Sequence, residues 1–231
     1  MRGVETMDEK TKIKYIVAFL YGDGYIGYHG KECRFQANNI IDNIDYILWR
    51  KSILENITPV TLTTNRDDRQ NRKEIVKTFT RTHPIFSRVH QRMYLCGKKV
   101  VDPHYLKLLD WETLAIWYMD DGSLRIIKQD YKTKHYESLV PTIATLCFSY
   151  AENVMIKNAI KEKLDIEFNI NRHSVNKNNE FMYQLVLRRS SFEKFRNNIE
   201  KFLTPSFLYK INPNDRLHTT DSMDEDIVRT V

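Results

Sequence analysis

I-V-A-F-L-Y-G-D-G, Ile16 to Gly24, and L-A-I-W-Y-M-D-D-G, Leu114 to Gly122, decide the fold. Each is an apolar helical run that ends in Asp-Gly. Aligned on that dipeptide, Asp23 matches Asp121, almost half a chain away. Repetition at that distance sets the architecture before any other feature. An aspartate at a helix C-terminus needs a reason, because the terminal carbonyls carry about −0.5 of an elementary charge and disfavour a carboxylate by ~0.3–1 kcal/mol. The glycine beyond is an ordinary helix stop, since glycine enters the left-handed region cheaply. One such stretch is a turn. Two in a matched frame ask for bound cations, which reverse the sign of the dipole argument.

Ala18 and Gly22 in the first run and Ala115 in the second are small enough to let two helix backbones approach. Helices packed side by side would bring Asp23 and Asp121 to one level. Bare carboxylates there would repel until one held its proton. Divalent metals would relieve that repulsion and could activate water against a phosphate.

The pair resembles the signature helices of the LAGLIDADG homing endonucleases, in the monomeric form with two motifs on one chain. The second stretch agrees at Leu114, Ala115, Asp121 and Gly122; the first agrees at Asp23 and Gly24, with Tyr25-Ile26 following. The resemblance implies an α+β fold of two pseudo-twofold-related αββαββα halves. Each half has an antiparallel saddle-shaped sheet for DNA, and the halves join through a central pair of packed motif helices. It implies that Asp23 and Asp121 bind divalent metals for double-strand cleavage at a long asymmetric site, helped by the carbonyls of Gly22 and Asp120. An all-oxygen site of this kind suits Mg²⁺ or Mn²⁺, with Ca²⁺ supporting binding without efficient cleavage. The implied partner is double-stranded DNA and the implied state a monomer.

Composition agrees with this class. A chain of 231 residues, 42% hydrophobic and 12% aromatic, can bury a core and is not a disordered polymer. No apolar run is long enough to span a membrane, and the first ten residues carry no apolar signal-peptide core. Cys33, Cys96 and Cys147 are odd in number and widely spaced, as for reduced thiols of an intracellular protein whose compartment stays open. The histidines lack zinc-ligand spacing. Net charge is +6 with a pI near 9.1, compatible with nucleic acid. The excess of base lies in residues 1–110, and the tail from Ile211 is acidic.

Periodicity divides the chain into an N-terminal segment 1–10, a first half 11–102, a linker 103–110, a second half 111–212 and a tail 213–231. In the first half we expect a helix from about Thr11 to Gly22, then a hairpin turning near Gly30. A helix opened by Asp42 follows, with Ile44, Ile47, Leu48 and Leu54 inward. Two strands then flank the charged stretch Asn65 to Lys73, and Pro84 opens a helix that ends at Cys96-Gly97. A short linking helix runs from Pro103 to Leu109. The second half expects a motif helix over Trp111–Asp121, strand S-L-R-I-I, and a polar hairpin from Lys128 to Pro141. Capping boxes are expected at Ser149/Glu152 and Ser190/Glu193 around two further strands.

Candidate DNA contacts are Arg34, Gln36, Asn38, Arg66, Arg69, Arg72, Lys73, Lys77 and Arg81 in the first half. In the second they are Arg125, Lys128, Lys132, Lys134, Arg172 and Lys177. These are donors on strands and strand turns, suited to phosphates and base edges. The resemblance also implies a lysine near each scissile phosphate, after the closing helix of each half. Those are Lys99, with Lys98 as its rival, and Lys210. Such a lysine can position water or stabilise charge on the pentacovalent phosphate. An EF-hand loop and the glycine-rich phosphate loops do not fit either Asp-Gly stretch. A maturase assisting intron splicing, with intron RNA as partner, and a DNA-binding regulator without cleavage stay open on the same fold. Retention of both motif acids and both lysines argues against the regulator.

Overall fold

A computed structural model describes residues 7–65, 73–131 and 134–218. In the first half, α1 (Glu9–Tyr21) leads to β1 (Tyr25–His29), β2 (Glu32–Ile40) and α2 (Ile44–Glu55). β3 (Val60–Asn65), β4 (Ile75–Thr80) and α3 (Pro84–Met93) complete it. A two-residue hairpin, β5 (Tyr94–Leu95) and β6 (Lys98–Lys99), and the short α4 (Pro103–Leu106) precede the second half. That half runs α5 (Trp111–Asp121), β7 (Gly122–Tyr131), β8 (Lys134–Ala144), α6 (Tyr150–Leu164), β9 (Phe168–Val175), β10 (Phe181–Leu187) and α7 (Phe192–Ile199). The αββαββα order thus occurs twice. Both sheets are antiparallel with one topology, β1-β2-β4-β3 and β7-β8-β10-β9. The chain forms two compact units: residues through Gln91 with Thr204–Tyr209, and Arg92–Leu203 with Lys210–Pro213.

The last two turns of α1 and the middle of α5 are buried all round, whereas Glu9 and Lys10 at the start of α1 are exposed. Ile16 through Tyr21 are all buried in α1, and Thr113 through Met119 in α5. A helix without a polar face belongs inside a protein. Each starts at an aspartate cap: Asp8 accepts from the Thr11 amide at 2.7 Å, and Asp110 from the Thr113 amide at 2.8 Å. In the first unit, Phe19 meets Phe35 at 5.9 Å and Trp49 at 5.9 Å, tying α1 to β2 and α2. In the second, Trp117 meets Phe148 at 6.4 Å and Tyr118 meets Phe195 at 5.1 Å.

The motif glycines are required for a reason other than a left-handed stop. Positive φ among glycines occurs at the hairpin positions Gly30 and Gly97. Gly22 has φ −95° and Gly122 has φ −82°. What Gly24 and Gly122 supply is room. A Cβ on Gly24 would lie 2.5 Å from the Phe19 carbonyl oxygen, and one on Gly122 would lie 2.3 Å from the Tyr118 carbonyl oxygen. Each glycine folds back on the last turn of its helix, and each amide donates to that same oxygen, at 2.9 Å for Gly24.

Several local expectations are corrected. Asp42 does not open α2; a 3-10 turn, Ile41–Asn43, precedes it, and Asp42 pairs with Lys73 instead. Leu48 points outward, while Tyr46 and Arg50 join Ile44, Ile47 and Leu54 inside. Arg50 is fully buried and donates to Asn39 Oδ1 at 2.5 Å and Thr78 Oγ1 at 3.2 Å, beneath β2 and β4. α3 stops at Met93, and Cys96-Gly97 turn the β5–β6 hairpin. α4 ends at Leu106. The polar hairpin expected from Lys128 to Pro141 is present and longer at its base, because β7 and β8 stay paired in register from Gly122↔Ile143 out to Tyr131↔Lys134. β8 ends at Ala144, so the turn before α6 begins at Thr145. The Ser149/Glu152 capping box forms as expected. The Ser190/Glu193 box does not. Ser191 caps α7 only by position, its Oγ accepting from the Glu167 amide at 2.9 Å, and Glu193 pairs with Arg196 at 2.7 Å.

The crowding at the motif glycines predicts a ranking. Gly24→Ala and Gly122→Ala should each lose ~1–3 kcal/mol or more of unfolding free energy, as overpacked sites do. Gly30→Asn should change it by less than ~1 kcal/mol, because Gly30 has open space around it and asparagine tolerates positive φ. Urea unfolding of the three variants measures this, and equal losses would contradict the packing argument.

Candidate functional site

Asp23 follows α1 and is exposed, although Tyr21 and Gly22 before it are buried. It opens on a cavity of about 370 Å³ that it shares with Tyr25, Gln36, Ala37 and Asn38. The acid expected to hold metal and two amides expected to read DNA therefore line one space. The sheet explains why. Burial alternates along β2, so Cys33, Phe35, Ala37 and Asn39 face the helices while Arg34, Gln36 and Asn38 face outward. On β4, Val76, Thr78 and Thr80 face inward and Lys77 outward.

Cross-strand partners share a face. One row on the open face reads Tyr25, Gln36, Phe79 and Thr61; the next reads Asn38, Lys77 and Thr63. Arg34 lies 5.0 Å from the Phe79 ring on that face. Tyr25, Phe79, Thr61 and Thr63 were not among the expected contacts, and the period-two alternation would have found them once the register was known. Arg81 is exposed just past β4, its amide bonded to the Pro59 carbonyl at 3.0 Å. Lys73 is paired with Asp42. Arg66, Arg69, Arg72 and Lys132 lie outside the described residues, and of Lys134 only the backbone register opposite Tyr131 is described.

In the second unit, Arg125 is exposed on the open face with Ser123, whose hydroxyl is 2.7 Å from Thr142 Oγ1. Asn171 and Gln184 are opposite each other on that face, two further polar residues that sequence reading missed. Lys128 falls on the other face, its ammonium 4.0 Å from Glu137. Arg172 also falls there, opposite Tyr183 and 4.0 Å from the Phe181 ring. Lys177 is exposed in the β9–β10 turn.

Asp121 is the last residue of α5 and is half-buried, as is Asp120. Asp23, by contrast, stands two residues beyond the end of α1. The two helix exits differ accordingly: Gly24 N–H reaches five residues back, to Phe19, and Gly122 N–H four, to Tyr118. Lys98 and Lys99 line a second cavity, of about 670 Å³, with Cys147, Phe148, Tyr150 and Tyr183 on its walls. Lys99 is half-buried and Lys98 exposed. Burial pushes the Cys147 thiol up; the Lys99 charge pulls it down and the Asp121 charge pushes it further up. Lys99 and Asp121 thus act on one point.

Lys210 is the lysine expected after the closing helix of the second half. It is buried, and its Nζ donates to the carbonyls of Tyr118 at 3.3 Å and Met119 at 2.5 Å, in the last turn of α5.

A metal ion here would meet few protein ligands. No cluster of three or more His, Cys, Asp or Glu side chains that could hold one occurs among the described residues. Asp23 and Asp121 offer one carboxylate per motif, hard oxygen donors of the kind Mg²⁺ and Mn²⁺ take while keeping waters and substrate oxygens. The donor set fits such an ion completed by a phosphate. No helix among the described residues is long and apolar enough to cross a membrane.

Residues 13–195 match the model of the LAGLIDADG DNA endonuclease family. The chain belongs to that family. Its fold is that of the homing endonuclease I-WcaI bound to its DNA recognition sequence, with a TM-score of 0.68, 22% identity, and 88% and 86% of the two chains covered. The I-SmaMI LAGLIDADG homing endonuclease bound to cleaved DNA gives a TM-score of 0.51 at 10% identity, covering 90% and 92%. Among curated proteins, Protein RecA of Mycolicibacterium flavescens is 25% identical over 216 residues, 91% of this chain and 48% of that protein. The cytochrome b mRNA maturase bI2 of Debaryomyces hansenii is 27% identical over 143 residues, 60% of this chain and 47% of that protein. The chain spans about half the length of these curated relatives.

Cys147 reports on the site without any activity. Asp121→Asn should lower its pKa and speed iodoacetamide labelling of that cysteine near neutral pH, because the thiolate is the reactive form. Lys99→Met should slow it. Peptide mass spectrometry separates Cys147 from Cys33 and Cys96, and unchanged rates in both variants would place Lys99 and Asp121 elsewhere.

Proposed function

We propose that the protein is a site-specific double-strand DNA endonuclease of the homing type that hydrolyses phosphodiester bonds with divalent metal ions and acts as a monomer. The observation that carries this reading is the shared cavity of Asp23, Gln36 and Asn38, a metal-competent carboxylate beside base-reading amides on an open sheet. The membership of the family and the likeness to DNA-bound homing endonucleases support it.

Asp23 and Asp121 hold the ions, with the carbonyls of Gly22 and Asp120 as further donors. A bound divalent ion supplies a nucleophilic water at neutral pH and neutralises charge on the phosphate. Lys99, half-buried in the cavity that Lys98 also lines, is the lysine we place by that phosphate, with Lys98 as its rival. Gln36, Asn38, Arg34 and Lys77 contact base edges or phosphates from the first sheet, and Arg125 from the second. The aromatic rings of Tyr25 and Phe79 supply apolar contact in the same rows.

Cleavage should need Mg²⁺ or Mn²⁺, while Ca²⁺ supports binding with little cutting. The assay is selection of cleaved sequences from a randomised duplex library, repeated with each ion and with excess chelator. Cutting that persists in chelator would sink the metal assignment. Binding to the selected duplex should fall steeply with salt, ~10³-fold or more from 50 to 200 mM if six or more phosphates are contacted. A salt-insensitive affinity would mean that the basic strands face elsewhere.

A second reading is an RNA maturase, favoured by the likeness to the cytochrome b mRNA maturase bI2. Tight binding of a folded intron RNA, with no duplex cleaved in the library, would favour it over the endonuclease.

A further inference from the structure

Tyr118 and Lys210 hold each other in both directions. The Lys210 ammonium donates to the main-chain carbonyls of Tyr118 and Met119, and the Tyr118 hydroxyl donates to the main-chain carbonyl of Lys210 at 2.7 Å. Each side chain closes on the other's backbone, across 92 residues of sequence. Both residues are buried.

The place of this clasp matters. A helix C-terminus carries partial negative charge, and α5 adds Asp120 and Asp121 to it with no basic residue in its own last turn. Lys210 brings the missing positive charge from the 3-10 segment Pro205–Lys210. The same turn is pinned from its other side. The Gly122 amide bonds to the Tyr118 carbonyl, and the Tyr118 ring lies where a Gly122 side chain would be. The carboxylate of Asp121 thus leaves a turn whose carbonyls are held by an ammonium and whose exit is closed by a tyrosine.

We infer that Lys210 is a positioning residue: its buried ammonium secures the C-terminal turn of α5, and with it the direction of Asp121, without contacting phosphate. The part that concerns cleavage rests on the endonuclease reading above; the clasp itself does not.

The test uses Lys210→Met, Lys210→Arg and Tyr118→Phe, with three measurements on the full chain. Hydrogen exchange by mass spectrometry should rise in Lys210→Met across the last turn of α5 and the start of β7, with the rest of α5 unchanged. The salt slope of duplex binding should stay at the parent value, whereas loss of a phosphate contact would reduce it by about one. Cleavage of the two end-labelled strands should become unequal. The strand most impaired by Asp121→Asn should slow ~10-fold or more and the other less than about twofold, with partial rescue in Lys210→Arg. A general loss of stability would slow both strands alike.

A salt slope reduced by one, equal slowing of both strands, or unchanged exchange would each overturn the inference. Should Lys210→Met fail to fold, Tyr118→Phe carries the test. It removes one arm of the clasp, is expected to show the same strand bias in milder form, and would overturn the inference by showing none. Should the parent cut no duplex at all, the endonuclease reading fails, and the exchange measurement still decides the clasp.

Discussion

A carboxylate that follows the buried turns of a motif helix is the constraint from which the rest follows. The dipole opposes it, and solvent cannot screen a helix whose sides are covered. The chain meets the difficulty in two ways. At α1 it lets the backbone run two residues past the helix, so Asp23 is exposed at the mouth of a cavity. At α5 it keeps Asp121 in the helix and sets a buried ammonium against the last carbonyls. Both solutions need a glycine after the acid, because only a residue without Cβ can fold back onto the last-turn carbonyl. That is a packing requirement, and neither Gly24 nor Gly122 takes the left-handed conformation of an ordinary helix stop.

The repeats are therefore alike in topology and unlike in chemistry. Sheet order and element order coincide, yet one motif has a single acid beyond its helix and the other a pair of acids at its end. Divergence of this kind is open to a two-motif chain and closed to a symmetric dimer, where any change must appear in both copies. An asymmetric target is the natural partner of an asymmetric protein, and the two open sheet faces already present different rows of side chains.

Much of this was legible in the chain. Apolar runs ending in Asp-Gly marked α1 and α5, polar donors on the expected strands marked Gln36, Asn38 and Lys77, and Ser-x-x-Glu marked the start of α6. The failures have physical causes. Asp42 looks like a cap, but a distant lysine competes for it, and long-range ion pairs leave no local trace. Ser190 and Glu193 have capping-box spacing, but a 3-10 turn precedes α7 and Ser191 is engaged by β9's neighbour Glu167. Arg50 was invisible as a core residue because its burial depends on Asn39 and Thr78, polar residues on two other strands. Lys128 and Arg172 were placed by charge alone, and charge does not say which face of a strand a side chain takes. The role of Lys210 depends on a contact between residues far apart in sequence, which spacing cannot show.

The central claim is that Asp23 and Asp121 each carry one strand's cleavage from the end of their motif helices. The most direct measurement is a plasmid assay that resolves supercoiled, nicked and linear forms for Asp23→Asn and Asp121→Asn, with a gel-shift titration beside it. The account predicts that each variant fails to linearise the plasmid, accumulates at most the nicked form, and binds the duplex about as tightly as the parent. Linear product at the parent rate from both variants would contradict it.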